Sequence, residues 1–168
     1  MRLQAFSDNR FVIGERETRC ALGKGGVIAA EDKCEGDGAT PLGVWRLRRV
    51  LYRADRLERP QTALPCRATR ADDGWCDAAS DPAYNRPVRL PYPASAETLT
   101  REDPLYDIIV VLAHNDAPPQ PEQGSAIFFH LEKEYYKPTL GCVAIARDDM
   151  LEVLRRADAA TTLEILKN

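Results

Sequence analysis

The chain has 168 residues, 44% of them apolar and 29% charged, so it is long enough to bury one core and fits a single domain, 1–168. A net charge of −3 and a pI of about 5.5 lack the basic surplus of a nucleic-acid binder, and no nucleic-acid partner is expected. No apolar run is long enough for a membrane-spanning helix, and residues 1–9 hold no apolar core of an export leader.

In chain order, Leu3–Phe6 and Phe11–Ile13 flank the turn-forming group Ser7-Asp8-Asn9-Arg10 and predict a hairpin. Thr18–Leu22 is a further strand. Gly23-Lys24-Gly25-Gly26 lacks the spacing of a phosphate loop and reads as a plain turn before Val27–Ala30. Residues 33–43 form a dense turn segment, with glycines at 36, 38 and 43 and Pro41 fixing a bend. Val44–Tyr52 then reads as a strand, with Val44, Arg46, Arg48, Val50 and Tyr52 on one face and Trp45, Leu47, Arg49 and Leu51 on the other. Its arginines, with Arg53, either present a solvated face or attract an anionic ligand.

From Arg53 to Arg101, prolines at 60, 65, 82, 87, 91 and 93 break the periodicity. The span 53–101 reads as a long insertion or lid with short strands at best, such as Arg86–Leu90. Trp75, Tyr84, Asn85 and Tyr92 in it either line a cleft or pack the loop onto the sheet. Tyr106–Ala113 is a continuous apolar run and should be a central strand, ending in His114-Asn115. Ser125–His130 is a second central strand and Cys142–Ala146 a third. Asp148 and Asp149 can cap a helix over 150–156, and Thr161–Leu166 closes the chain as a strand. The whole is mainly β with one clear helix.

Five cysteines are an odd count, and no C-x-x-C pair or His pair at i, i+4 appears, so neither a metal nor any other cofactor is expected. Cys20, Cys34, Cys66 and Cys76 read as small buried hydrophobes, with Cys66 and Cys76 the first pair to test for a disulfide. Cys142 differs. It opens an apolar strand behind Gly141, and His130 lies twelve residues upstream at the end of another. An imidazole can take the thiol proton, and a glycine lets the backbone approach a bound carbonyl, so that the Gly141 and Cys142 amides become candidate oxyanion donors. One Cys and one His at this spacing still leave a merely buried thiol as the alternative.

Thr139-Leu-Gly-Cys142-Val resembles the nucleophile motif of the YkuD-type L,D-transpeptidases, and Phe128-Phe129-His130 resembles the family's upstream histidine segment. Gly23-Lys24 and Asp37-Gly-Ala-Thr-Pro-Leu-Gly43 are similar to its N-terminal glycine and TP-x-G segments. The resemblance covers about 20–50 and 106–146, and 53–101 lies outside it. It implies a twisted mixed β-sandwich with one or few short helices. It also implies transfer of an acyl group between peptidoglycan stem peptides through a cysteine thioester. Cys142 would be the nucleophile, His130 the base, and the Leu131 carbonyl the group that orients His130.

The sequence departs from the family at Leu140, where a histidine is usual, at Ala144, where an arginine or asparagine is usual, and at Leu131, where a glycine is usual. His114 is the only other imidazole; it either enters the site from a neighbouring strand end or is a strand-end histidine in a turn with Asn115. Thr139, Asn115, Tyr84 and Trp75 are the further candidate substrate contacts. The departures resemble a divergent proteobacterial branch, associated with cross-links from L-Ala at stem position one to diaminopimelate at position three. A link between two diaminopimelates is the other outcome. A cysteine peptidase or amidase, or a non-catalytic peptidoglycan-binding domain, are the competing readings. The partner implied is the stem peptide, and the location implied is the periplasm or cell wall, with no leader visible.

Overall fold

The structure is a computed structural model that describes residues 1–168. Strands β1 (Arg2–Phe6), β2 (Arg10–Ile13) and β3 (Arg16–Ala21) form the expected antiparallel meander, with Leu3, Ala5, Phe11 and Ile13 alternating into the core. Asn9 takes the left-handed turn position, φ 70°, which asparagine tolerates. Two-residue strands β4 (Val27–Ile28) and β5 (Thr40–Pro41) pair in parallel around the turn segment.

Strand β6 (Gly43–Tyr52) is the corner of the molecule. Its first half pairs antiparallel with the C-terminal strand, and its second half pairs antiparallel with β11 (Ile108–Leu112). The expected division of its side chains between two faces does not hold throughout. Val111 lies opposite Arg49 and Leu112 opposite Leu47, so a bulge skips Arg48. Leu47 and Val50, expected on opposite faces, therefore both enter the main core, while Leu51 faces the other way.

The prolines of the middle segment conceal more order than the sequence suggested. After β7 (Cys66–Ala68), which adds in parallel to β6, come β8 (Asp73–Cys76), β9 (Pro87–Arg89) and β10 (Ala96–Thr98). The last three form a separate antiparallel sheet with β8 in the middle. Strand β11 is buried at every residue, as its unbroken apolar run requires. It pairs with β12 (Phe128–Leu131), which runs parallel to β13 (Val143–Ile145), and β13 pairs with β3.

Helix α1 (Arg147–Arg156) follows, and β14 (Thr162–Leu166) inserts between β1 and β6. Ala146 precedes the helix without a side-chain cap; Asp148 and Asp149, expected to cap, lie instead in the first turn, where they suit the helix dipole. Asp149 is also bonded by Thr18 Oγ1 and Arg16.

The order β11-β12-β13-β3-β2-β1-β14-β6, with β6 returning to β11, closes the mixed sheet on itself as a flattened, mainly β two-layer body. Inside it lies a core of 23 buried residues that takes in Phe11, Phe129, Ile145 and the helix residues Met150, Val153 and Leu154. Each such side chain contributes about 1.5–3 kcal/mol by leaving water. A second cluster of eight lies on the outer face of β11 and β12, where Ile109, Val111 and Phe128 meet Trp75 and Leu99 from the middle segment. All five cysteines are free, so Cys66 and Cys76 form no bridge; Cys34 is exposed rather than buried. No helix is long and apolar enough to cross a membrane.

Candidate active site

The parallel register of β12 and β13 sets Phe129 opposite Val143 and His130 opposite Ala144. Side chains alternate, so Phe129, Leu131, Val143 and Ile145 point into the main core, and Phe128, His130, Cys142 and Ala144 share the outer face. His130 is thus inside its strand, not at the end of it. Parallel neighbours require a crossover, and residues 132–142 supply it as a loop that returns Cys142 to the same end of the sheet. Cys142 and His130 line one cleft of about 530 Å³.

His130 Nδ1 lies 2.8 Å from the Leu131 carbonyl oxygen. A carbonyl only accepts, so Nδ1 carries the proton and Nε2 keeps a free lone pair, the tautomer a base needs. The Tyr106 ring stands edge-on to the imidazole at 5.3 Å. The Cys142 thiol donates to the Ala126 carbonyl at 3.2 Å and accepts from the Phe128 amide at 3.3 Å; it makes no hydrogen bond to His130. Burial pushes the thiol up to about 12, with the Glu97 charge adding to this, and burial pushes His130 down to about 4. The resting pair is a neutral thiol and a neutral imidazole.

The backbone around the thiol is fixed by the two N-terminal segments that the sequence singled out. Lys24 N donates to Thr139 O at 2.9 Å, and Gly23 forms a parallel bridge with Thr139. Thr40 Oγ1 accepts from Gly23 N at 2.8 Å and reaches the Cys142 carbonyl at 3.5 Å. Thr139 Oγ1 donates to the same carbonyl at 2.7 Å and accepts from Gly141 N at 3.1 Å. The Gly141 amide is therefore engaged, while the Cys142 amide donates to no protein acceptor. Gly141 has φ +130°, and a Cβ there would stand 3.0 Å from Ala39 O. A side chain there is strained on both counts.

The middle segment and the 33–38 turn build the remaining walls. Lys33 is 3% exposed, and its ammonium is held by Asp37 at 2.6 Å and by the Cys34 carbonyl at 2.8 Å. Glu97 on β10 accepts from Tyr106 O–H at 2.6 Å, and Arg101 lies over the Tyr106 ring while bonding Asp103. Lys133 and Lys137 reach the cleft from the 132–142 loop. Ser125 Oγ, buried at the cleft, has no hydrogen-bond partner. No three His, Cys, Asp or Glu side chains are grouped to hold a metal ion.

Of the residues singled out in the sequence, Cys142, His130 and Thr139 line this cleft, and Gly141 lies directly beneath it. His114, Asn115, Tyr84 and Trp75 do not line it. They belong to a buried support behind it, and Asn85 is its hub. Asn85 Oδ1 accepts from Trp75 Nε1 at 2.8 Å and from Ala126 N at 3.1 Å; its Nδ2 donates to the His114 and Asn115 carbonyls at 3.2 and 2.6 Å. The Asn115 side chain bonds Gln120 and Gly124, and Tyr84 O–H bonds Glu35. His114 donates from Nε2 to Gln123 O at 3.0 Å, packs edge-on to Trp45, and leaves Nδ1 buried without a partner. In this position it supports the 120–125 loop. Nor do Arg46, Arg48, Arg49 or Arg53 reach the cleft; Arg48 pairs with Asp116 and Arg53 with Asp55.

Sequence reasoning missed Glu97, Tyr106 and Arg101. Glu97 and Arg101 lie in the proline-broken segment or at its end, and only the antiparallel pairing of β10 with β8 brings Glu97 to the cleft. Leu140, at the position of a usual histidine, is 73% exposed at the cleft mouth, and Ala144, paired with His130 across the strands, is a buried part of the cleft lining. A family model described as the L,D-transpeptidase catalytic domain, YkuD, matches residues 2–165. No curated protein matches the chain.

Proposed function

The chain belongs to the YkuD family of L,D-transpeptidase catalytic domains, a family whose substrate is peptidoglycan, and on that premise we propose that Cys142 carries the acyl group as a thioester with His130 as its base. The observation that carries the reading is the pairing in one cleft of a thiol with an imidazole whose Nδ1 is tied to Leu131 O. A donor stem bound in the cleft brings its scissile carbonyl to Sγ. His130 Nε2 takes the thiol proton as sulfur attacks, and the free Cys142 amide donates to the oxyanion that forms. As the tetrahedral species collapses, the C–N bond breaks and His130 gives the proton to the leaving amine. The thioester is then attacked by an amine of a second stem, which regenerates the thiol. Because the resting pair is neutral, the proton moves only when substrate reaches the cleft and displaces water.

For the product we favour the link from L-Ala at position one to diaminopimelate at position three, with the link between two diaminopimelates as the other outcome. Leu140 and Ala144 support this, since both remove the polar groups that stand beside the thiol in the family pattern. The working location we propose is the periplasm, where the stem peptides are. Purified muropeptides incubated with the wild-type protein and with Cys142→Ala test the reading by mass spectrometry. The expected result is a cross-linked dimer with the wild type and none with the variant. Shortened monomers alone would make the protein a hydrolase, and equal products from both would remove Cys142 from the chemistry.

A further inference from the structure

Three carboxylates line the cleft, Glu35, Asp77 and Glu97, and Glu97 is the one whose charge bears on Cys142. Glu97 Oε1 is taken by Tyr106 O–H at 2.6 Å, while Oε2 has no protein partner and faces the cleft. The two cationic walls that are paired turn elsewhere, Lys33 to Asp37 and Arg101 to Asp103, and Glu35 is taken by Tyr84 O–H. Glu97 therefore keeps an unmatched negative charge beside the nucleophile. That charge opposes formation of a thiolate at Cys142. It hinders the first half-reaction, so its use has to lie in the second, where the incoming reactant is a cation. Ser125 Oγ, buried at the same cleft without a partner, offers a further acceptor. Lys133 and Lys137, which also line the cleft, make no ion pair and can receive carboxylates.

We propose that Glu97, held by Tyr106, is the acceptor-binding carboxylate of the site, which receives the ammonium group of the second stem peptide and takes its first proton. This rests on the transpeptidase reading above and assigns the acceptor half of it. The acceptor ammonium loses one proton to Glu97. The freed lone pair attacks the thioester carbonyl, forming the C–N bond. The C–S bond then breaks, and the second amine proton passes through His130 Nε2 to the departing sulfur. Glu97 returns its proton to water. Burial, which raises Glu97 above the usual carboxylate range, favours this transfer of a proton to it.

The test separates the two half-reactions. Intact-protein mass spectrometry first reads the donor adduct on Cys142 after incubation with a tetrapeptide stem. No adduct on the wild type would remove the transpeptidase reading itself, before Glu97 is tested. With the adduct formed, transfer is compared between a cationic acceptor, a diaminopimelate-containing tripeptide, and a neutral one, hydroxylamine at neutral pH. Glu97→Gln keeps an acceptor for Tyr106 and should form the adduct at least as fast as wild type. Its kcat/KM for the cationic acceptor should fall about tenfold or more, chiefly through KM, with hydroxylamine changed less than about twofold. Glu97→Asp, which keeps the charge, should recover part of the cationic preference. An equal fall for both acceptors, a slower adduct, or an Asp variant no more selective than the Gln variant would overturn the assignment.

Discussion

Replacing Asn85 by alanine should loosen the thiol without touching it. Asn85 is 5% exposed and has φ +54°. Its side-chain oxygen is the only acceptor for the Trp75 indole N–H and the Ala126 amide. Alanine leaves both donors unpaired at about 1–3 kcal/mol each. Holding alanine in the left-handed region adds about 1–2 kcal/mol. Water entering the vacated space recovers part of this, which leaves a loss of about 4 kcal/mol, a large share of the 5–15 kcal/mol typical of a whole domain. Asn85→Gly removes the same hydrogen bonds but relieves the backbone, and should be milder by about 1 kcal/mol. Urea unfolding at neutral pH reads both. The local consequence is separate: Ala126 loses its anchor, and its carbonyl is the acceptor that holds the Cys142 thiol. Alkylation by iodoacetamide, mapped peptide by peptide because Cys34 is exposed, should therefore become faster at Cys142. A loss below about 1 kcal/mol with unchanged labelling of Cys142 would refute the reasoning.

Two further outcomes follow from the same geometry. Gly141→Ala puts a side chain at φ +130° and 3.0 Å from Ala39 O, so about 1–3 kcal/mol of stability should be lost. Formation of the donor adduct should slow roughly a hundredfold because the thiol is displaced; an adduct rate near wild type in stopped mass spectrometry would show that the tight backbone does not position sulfur. For pH, His130 is buried neutral and titrates at about 4 against 6.5 when exposed, so between these values the unfolded chain binds the extra proton. Stability then rises with pH across that window, and about 3 kcal/mol of it is missing once pH falls to about 4. His130→Gln should flatten the dependence of the urea midpoint on pH between neutral and about 4, and an unchanged slope would place the buried proton acceptor elsewhere.

What the sequence revealed was set by local pattern. The β1–β2 hairpin shows because a polar turn interrupts two alternating runs, and β11 shows because burial on both sides demands an unbroken apolar run. Cys142 and His130 could be picked out because a glycine and four apolar residues frame the one and an apolar run ends in the other. The bulge in β6 left no trace, since a skipped Arg48 looks like any exposed arginine. Strands β8 to β10 are three or four residues long and lie among prolines, too short for a period to register. Nor could the roles of Asn85 and Glu97 be seen. Asn85 depends on Ala126, forty-one residues on, and Glu97, whose partner Tyr106 is only nine residues away, depends on the face a short strand presents.

Strand β14 has a consequence for how the protein is made. It lies between β1 and β6, and it leaves the ribosome after every other strand of this sheet. Until residues 162–166 emerge, both neighbours expose unpaired backbone edges and the sheet stands open along one seam. The cleft strands β11, β12 and β13 exist by then, attached on one side through β6 and on the other through β3. The sheet thus closes with a zipper between the first strand and the corner strand, and a chain stalled before it is a candidate for mispairing with its neighbours or for capture by a chaperone. Any truncation that removes residues 162–166 acts on this seam, and so on assembly of the whole body.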